Sequence, residues 1–210
     1  MPPPGAGMNP ATRHESIDGP DGRLACAIDA PAAPPRGVAV LCHPHPLHGG
    51  TMDNKVVQTL ARAFVQLGYR AVRFNFRGVG GSDGDWDEGR GEVDDALCVA
   101  ATQRIDGLPL ALGGFSFGAF VATRAAHRLP EGQRAERLVL VGPAVRNFPA
   151  ADVPQDTLVF HGEVDDVVPL AAVLDWARPQ HLPVTVFPGT GHFFHGQLAL
   201  LKQRVIGAWH

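Results

Sequence analysis

The chain alternates short apolar runs with segments that carry an apolar residue at every third or fourth position. Residues 38–42 and 138–141 are apolar throughout, which is typical of parallel strands that are covered on both faces. Residues 56–67 instead carry their apolar side chains along one stripe of a helix. This alternation predicts an α/β fold, in which one mostly parallel central sheet has helices on both faces.

The same patterns predict the order of the elements along the chain. Residues 13–29 predict a hairpin at the sheet edge, because the turn sequence Gly19-Pro20-Asp21-Gly22 separates two short strands. Further strands are predicted at 38–42, 69–76, 110–114, 138–141, 158–160 and 184–187, and helices at 56–67, 92–103, 117–129, 170–176 and 198–209. The Pro- and Gly-rich residues 1–12 predict a flexible tail, which leaves residues 13–210 as a single domain.

The composition is ordinary for a globular protein and shows no basic excess. Hydrophobic residues make up 45% of the chain and charged residues 19%, and the formal net charge is −3. This balance gives no electrostatic reason to expect nucleic acid or a membrane as a partner. The three cysteines are odd in number and widely spaced, which favours reduced thiols and a cytoplasmic location. The oligomeric state is left open.

A Gly-x-Ser-x-Gly pattern, Gly114 to Gly118 with Ser116 at its centre, joins a predicted strand to a predicted helix. A chain that reverses sharply from strand to helix strains the backbone of its apex residue, so the neighbouring residues must be small. The apex side chain then projects from the end of the sheet, and the first N–H groups of the helix lie beside it. The pattern alone is weak in a chain with 25 glycines, so its context decides.

Two further strands end in residues that suit acid–base chemistry. Asp165 and Asp166 follow the strand at 158–160, and His192 and His195 follow the last strand. The carboxyl ends of parallel strands meet at one edge of a sheet, so we expect these side chains to gather around Ser116. A histidine that removes the serine proton, oriented by a carboxylate, would make Ser116 a nucleophile.

A resemblance to a known family rests on two more segments, Cys42-His43-Pro44-His45-Pro46-Leu47-His48-Gly49-Gly50-Thr51-Met52-Asp53-Asn54 and Asn75-Phe76-Arg77-Gly78. Together with the chain order serine, acid, histidine, they make residues 13–210 similar to small bacterial serine hydrolases of the α/β-hydrolase superfamily that lack a lid. The resemblance implies an α/β-hydrolase fold without a cap domain, no cofactor, and a triad of Ser116, Asp165 and His192. It does not imply a particular substrate.

The resemblance also ranks the candidate acids. The family pattern of Gly162, Asp165, Val168 and Pro169 favours Asp165 over its neighbour Asp166, which is then a solvated or capping carboxylate. His195 is interpreted as a wall or surface residue, although it follows the last strand closely enough to be a backup candidate for the base.

The oxyanion hole of this fold takes one N–H from the residue after the nucleophile and one from an early loop. Phe117 supplies the first of these donors. In the early loop the prolines have no N–H, which leaves His45 and Leu47 as candidates. We favour His45, because it lies two residues beyond His43.

The same loop raises a hypothesis from a different class of enzyme. His43, His45 and His48 repeat the histidine spacing of a zinc-hydrolase motif, but Leu47 stands where that motif carries a metal-binding aspartate. A metal-dependent hydrolase is therefore the second hypothesis, and a binding module that keeps the fold without catalysis is the third.

The chain leaves little room for a lid. Residues 143–156, after the strand that follows the nucleophile helix, include three prolines and are too short for a helical cap. We therefore predict an open cleft for small soluble esters or thioesters, lined by Phe117, Leu47, Val145, Phe148 and Phe193.

The loop that begins at Arg77 is interpreted as structural rather than as a phosphate-binding loop, because it lacks the Lys-Ser/Thr ending. Arg77 is expected to pair with Glu92 or Asp95, and the acidic residues 83–88 are expected to form a solvated face.

Overall fold

In the computed structural model, residues 12–209 are described, and their strands form one eight-stranded sheet. The strands are β1 (Arg13–Gly19), β2 (Gly22–Asp29), β3 (Gly37–Cys42), β4 (Tyr69–Phe74), β5 (Leu110–Phe115), β6 (Arg137–Val141), β7 (Leu158–Gly162) and β8 (Val184–Phe187). Their spatial order is β1-β2-β4-β3-β5-β6-β7-β8. The β1–β2 hairpin is the antiparallel edge and the other strands run parallel, so the predicted fold class is confirmed. The predicted tail lies outside the described residues, except for Thr12.

Five longer helices cover the sheet, and each face has its own apolar cluster. They are α1 (Lys55–Gln66), α2 (Arg90–Gln103), α3 (Phe117–Arg128), α4 (Leu170–Ala177) and α5 (Leu198–Ala208). On one face α1 and α5 bury residues such as Leu60 and Leu201, and on the other α2, α3 and α4 bury Val99, Val121 and Val173. Burial on both faces explains why β3, β5 and β6 read as continuous apolar runs.

Every strand and each of the five longer helices lies within two residues of its predicted bounds, and two of the differences have an identifiable cause. Strand β4 ends at Phe74 rather than Phe76, because the Phe76 N–H leaves the ladder and donates to His43 Nε2 at 3.1 Å. Helix α2 begins two residues earlier than predicted. Its Glu92 carboxylate reaches back to accept the Gly89 N–H at 2.7 Å, which caps the helix at Gly89 and makes Arg90 its first residue.

The strand order places a crevice at the carboxyl end of β3. The chain moves from β3 outward to β4 and then returns to β5 on the opposite side of β3. In such sheets the loops that leave the two neighbouring strands diverge, and ligands bind between them. Cys42 and Gly114 are register partners at this point, so the loop after β3 and the turn after β5 begin side by side.

The β6–β7 connection, residues 142–157, contains no helix, so among residues 12–209 no cap domain covers that end of the sheet. Among the helices of residues 12–209, none combines the length and the apolar character needed to cross a membrane.

Candidate active site

Ser116 stands at the turn between β5 and α3 with φ of 56° and ψ of −117°, angles that few non-glycine residues adopt. Such strain costs about 1–3 kcal/mol and persists only where surrounding structure imposes it. Two glycines allow the turn: a Cβ on Gly114 would lie 2.3 Å from the Gly118 backbone, and one on Gly118 would lie 2.2 Å from the Cys42 carbonyl oxygen. The Gly-x-Ser-x-Gly pattern is therefore a packing requirement of this turn.

Strand β6 and the residues after it hold Ser116 in this conformation. The Ser116 N–H donates to the Val141 carbonyl at 2.9 Å, and the Ser116 carbonyl accepts the Ala144 N–H at 3.2 Å. Both backbone groups of the strained residue are thus anchored, which leaves its side chain fixed at the end of the sheet.

The structure brings the three predicted triad residues together. His192 Nε2 lies 3.0 Å from Ser116 Oγ, and His192 Nδ1 lies 2.7 Å from Asp165 Oδ2. An ionised carboxylate can only accept hydrogen bonds, so His192 Nδ1 carries the proton and the Nε2 lone pair faces the serine hydroxyl. The three residues are only 3–7% exposed, so this chain of hydrogen bonds is largely shielded from bulk water.

The Asp165 carboxylate is held in its charged form by its neighbours. Its Oδ1 accepts the N–H groups of Val167 at 3.0 Å and Val168 at 2.7 Å. Burial by itself would raise the pKa of Asp165, but the hydrogen bonds from His192 and Val168 outweigh it and hold that pKa below its ordinary value. An ionised acceptor therefore faces His192.

The two rival candidates lie apart from this chain of hydrogen bonds. Asp166 and His195 are both exposed, and neither is bonded to Ser116 or His192. The centroid of the His195 ring lies 5.8 Å from that of Phe193.

The two predicted oxyanion donors lie on the elements that flank the crevice. The Phe117 N–H opens α3, the His45 N–H lies in the loop after β3, and within residues 12–209 neither is bonded to an acceptor. The Leu47 N–H, the alternative donor, is engaged by His45 Nδ1 at 3.2 Å. This geometry favours His45 over Leu47.

The histidines of the early loop do not converge as metal ligands would. Both ring nitrogens of His43 bond to backbone, Nδ1 donating to the Pro44 carbonyl at 2.7 Å and Nε2 accepting the Phe76 N–H. His45 and His48 stack on each other with ring centroids 4.4 Å apart. Across the described part of the chain, no group of three or more His, Cys, Asp or Glu residues is arranged to hold a metal ion.

The predicted pocket residues separate into a rim and a buried wall. Leu47 and Phe193 are 65% and 47% exposed and form the rim. Val145 and Phe148 are half-buried against the apolar cluster of α2 and α3. The expectation that the Phe117 ring lines an open cleft is wrong, because that ring is fully buried.

Sequence reasoning missed Trp86, which packs, half-buried, beside the same wall. Its ring lies 4.6 Å from His45 and 5.1 Å from Phe117, centroid to centroid. The acidic residues Asp83, Asp85 and Glu88 are exposed as predicted, whereas Trp86 among them is half-buried. A single tryptophan among acidic residues was the signal that this loop folds inward.

Sequence reasoning also missed His161, which lies beside the triad carboxylate. Its Nε2 is 3.6 Å from Asp165 Oδ2 and 2.9 Å from the Val168 carbonyl. The only sequence signal was a histidine in an apolar strand, four residues before the candidate acid.

Arg77 braces the loop after β4 against α2. Its guanidinium and backbone N–H bond to Asp95 at 2.7–3.2 Å, so of the two predicted partners the structure selects Asp95. A Cβ on Gly91 would lie 2.2 Å from this guanidinium, which explains the glycine at that point of the helix.

Comparison with known proteins places the chain in a family. Residues 33–151 match the family model described as serine aminopeptidase, S33. The uncharacterized protein RP471 of Rickettsia prowazekii is 32% identical over 194 residues, which cover 85% of this chain and 80% of that protein.

Solved structures agree with this placement. The structure of XC6422 from Xanthomonas campestris, described as an α/β serine hydrolase without lid, has a TM-score of 0.86 and 37% identity, covering 96% of this chain and 94% of that one. An α/β serine hydrolase homologue from Coxiella burnetii has a TM-score of 0.82 and 37% identity, covering 94% of this chain and 97% of that one. The chain therefore belongs to the S33-type serine hydrolases, a family of the α/β-hydrolase superfamily.

Proposed function

We propose that this protein is an esterase or thioesterase that cleaves small, soluble acyl substrates through an acyl-enzyme on Ser116. The observation that carries the proposal is the hydrogen-bond chain from Ser116 Oγ through His192 to the Asp165 carboxylate, with links of 3.0 and 2.7 Å. Nucleophile, base and orienting acid are already within reach of one another, which is the geometry that acyl transfer requires.

In the first half of the reaction Ser116 Oγ attacks the acyl carbon while His192 Nε2 takes the hydroxyl proton. The imidazolium that forms is stabilised by Asp165, which keeps its negative charge. The carbonyl oxygen becomes an oxyanion and accepts hydrogen bonds from the N–H groups of Phe117 and His45. His192 then returns its proton to the departing alcohol or thiol, and the acyl group remains on Ser116.

The second half repeats these steps with water as the nucleophile. His192 takes a proton from water, the hydroxide attacks the acyl-serine, and the proton goes back to Ser116 Oγ as the acid leaves. Every proton passes through His192 Nε2, so the second nitrogen must stay protonated and directed at Asp165 throughout.

Substrates of modest size suit the surroundings of Ser116. Within residues 12–209 no cap covers the carboxyl edge of the sheet, and exposed Leu47 and Phe193 offer an apolar rim. Short acyl chains can rest on such a rim. We propose small-molecule esters or thioesters as the partners of this site and, because Cys26, Cys42 and Cys98 are free thiols, a cytoplasmic location.

The test pairs covalent labelling with turnover. We expect a fluorophosphonate probe to label the wild type and p-nitrophenyl butyrate to be hydrolysed, and we expect Ser116→Ala to lose both. Ser16→Ala, a change at an exposed serine on β1, is the matched control and should behave as wild type. Labelling that persists in Ser116→Ala would refute the proposal.

Further arms separate the competing functions and refine the substrate class. Loss of activity on adding a chelator would favour the metal-dependent hydrolase, and absence of both labelling and turnover would favour a binding module. A panel of short esters, thioesters and aminoacyl p-nitroanilides tests the substrate class, the last because the family model is described as an aminopeptidase. A sharp rise in activity on micellar esters would contradict the preference for soluble substrates.

A further inference from the structure

We infer that His161 is a positioning residue that sets the Asp165 carboxylate against His192, an inference that rests on the proposed function. His161 lies in β7, is fully buried, and precedes Asp165 by four residues. It touches neither Ser116 nor His192 through a hydrogen bond, so it would act only through Asp165.

The hydrogen bonds of His161 close the loop that carries the acid. Its Nε2 lies 2.9 Å from the Val168 carbonyl, and since a carbonyl only accepts, Nε2 carries the proton. The N–H of the same Val168 donates to Asp165 Oδ1 at 2.7 Å. The imidazole thus fixes the residue whose backbone orients one carboxylate oxygen.

The same imidazole nitrogen also lies close to the other carboxylate oxygen. His161 Nε2 lies 3.6 Å from Asp165 Oδ2, the oxygen that accepts His192 Nδ1 at 2.7 Å. Burial lowers the pKa of His161, although the nearby Asp165 opposes this, so the ring is neutral and its protonated nitrogen lies close to the carboxylate charge. Both oxygens of Asp165 are therefore placed with the help of one side chain.

The opposite side of the ring has no polar role in the described structure. His161 Nδ1 is buried and, within residues 12–209, has no hydrogen-bond partner. A buried polar atom without a partner is unfavourable, so a purely structural site would be better served by an apolar residue. The contacts of Nε2 with Val168 and Asp165 therefore explain why a histidine occupies this position.

Amide substitutions separate the two sides of the ring. In His161→Gln the terminal amide stands as many bonds from the backbone as Nε2 does, whereas in His161→Asn it stands where Nδ1 was. We expect His161→Leu to lower kcat about tenfold and to change KM less than about twofold. Loss of a residue that orients a functional side chain has effects of this size in other sites. His161→Gln should recover kcat to within about threefold of wild type, and His161→Asn should resemble His161→Leu.

A double-mutant cycle tests whether His161 acts through Asp165. In the Asp165→Asn background we expect His161→Leu to cost less than about twofold, because the group that it positions is already impaired. The same cost in both backgrounds would overturn the inference, as would full activity of His161→Leu or equal activity of the Gln and Asn variants.

Two controls keep the outcomes distinguishable. Phe160→Leu perturbs the same strand, but the Phe160 side chain packs in the α1–α5 cluster. Assayed at a temperature well below its melting temperature, this variant should keep the wild-type kcat. If it lost as much activity as His161→Leu, general loosening of β7 would explain both. Activity that survives Ser116→Ala would instead refute the proposed function, and with it the inference about His161.

Discussion

Two buried histidines lie at strand ends along the same edge of the sheet, and their hydrogen-bond partners differ in kind. His43 is enclosed by backbone, with its two nitrogens on the Pro44 carbonyl and the Phe76 N–H. His192 is held by side chains, with its two nitrogens facing Asp165 and Ser116. Backbone amides are neither acids nor bases near neutral pH, whereas a hydroxyl and a carboxylate at these distances can take part in proton transfer.

The comparison teaches that burial alone does not mark a catalytic histidine. Burial lowers the pKa of His43 to about 4, even though its hydrogen bond to Pro44 opposes the shift. His43 therefore stays neutral near pH 7 and serves to join the loop after β3 to the loop after β4. We expect His192 to carry the chemistry and His43 to carry stability.

The largest expected effect is on activity at His192. His192→Ala removes the group that relays every proton, so kcat should fall by about 10⁴- to 10⁶-fold. The free energy of unfolding, measured by chemical denaturation, should change far less. His43→Gln, which keeps an acceptor for the Phe76 N–H, is the contrasting variant and should retain most of its kcat. Comparable losses of kcat in the two variants would break the distinction.

The second effect tests the partner of His192. Asp165→Asn offers an amide in place of the charged acceptor and disfavours the productive tautomer, so kcat should fall about 10⁴-fold. Asp166→Asn, a change in the exposed neighbour, is the matched control and should leave kcat near wild type. A reversal of these two results would assign the acid to Asp166.

The third effect extends the comparison to a pair that carries stability. The guanidinium of Arg77 and the carboxylate of Asp95 are 9% and 1% exposed and lie 2.7 Å apart. Arg77→Met leaves a buried carboxylate without its partner, so the free energy of unfolding should fall by about 3–5 kcal/mol. Activity per folded molecule should persist at low temperature. Denaturation and single-temperature kinetics together check this, and unchanged stability would contradict it.

The smallest effect is a pH dependence of stability. His43 binds a proton more readily when unfolded, at its usual pKa of 6.5, than when folded, at about 4. Its contribution is therefore complete above pH 6.5 and is lost as pH falls toward 4, by about 3 kcal/mol in total.

His43→Gln removes this titration, so its unfolding free energy should fall less than that of wild type as the pH is lowered. Denaturation curves between about pH 4.5 and 7.5 give the difference. Other buried groups such as His161 are shared by both proteins and cancel in the comparison. Parallel curves for the two proteins would show that His43 is not the titrating group.

The sequence predicts the parts of this molecule that depend on local pattern. Ser116, Asp165 and His192 each follow a strand of their own, and the parallel sheet brings strand ends to one edge. Their convergence therefore needs only the fold class, which the alternation of apolar runs already indicates. The elbow glycines belong to the same category, because their spacing is set by a single turn.

The remaining features depend on paths through space that no local pattern records. The choice of Asp95 over Glu92 by Arg77 arises because Glu92 is occupied in capping α2. The inward turn of Trp86 and the reach of His161 to Val168 arise from loop paths and side-chain packing. Sequence reasoning placed Arg77 at the start of a loop without choosing between its two candidate partners, and it missed Trp86 and His161.

The contact between Gly118 and the carbonyl of Cys42 limits how the protein can be altered. The start of α3 packs against the end of β3 so closely that even a methyl group is excluded, which fixes the spacing of the two elements that carry the proposed oxyanion donors. Libraries that randomise positions 114 and 118 should therefore yield mostly inactive clones. Changes in acyl preference would come instead from the exposed positions Leu47 and Phe193, whose side chains are free to vary.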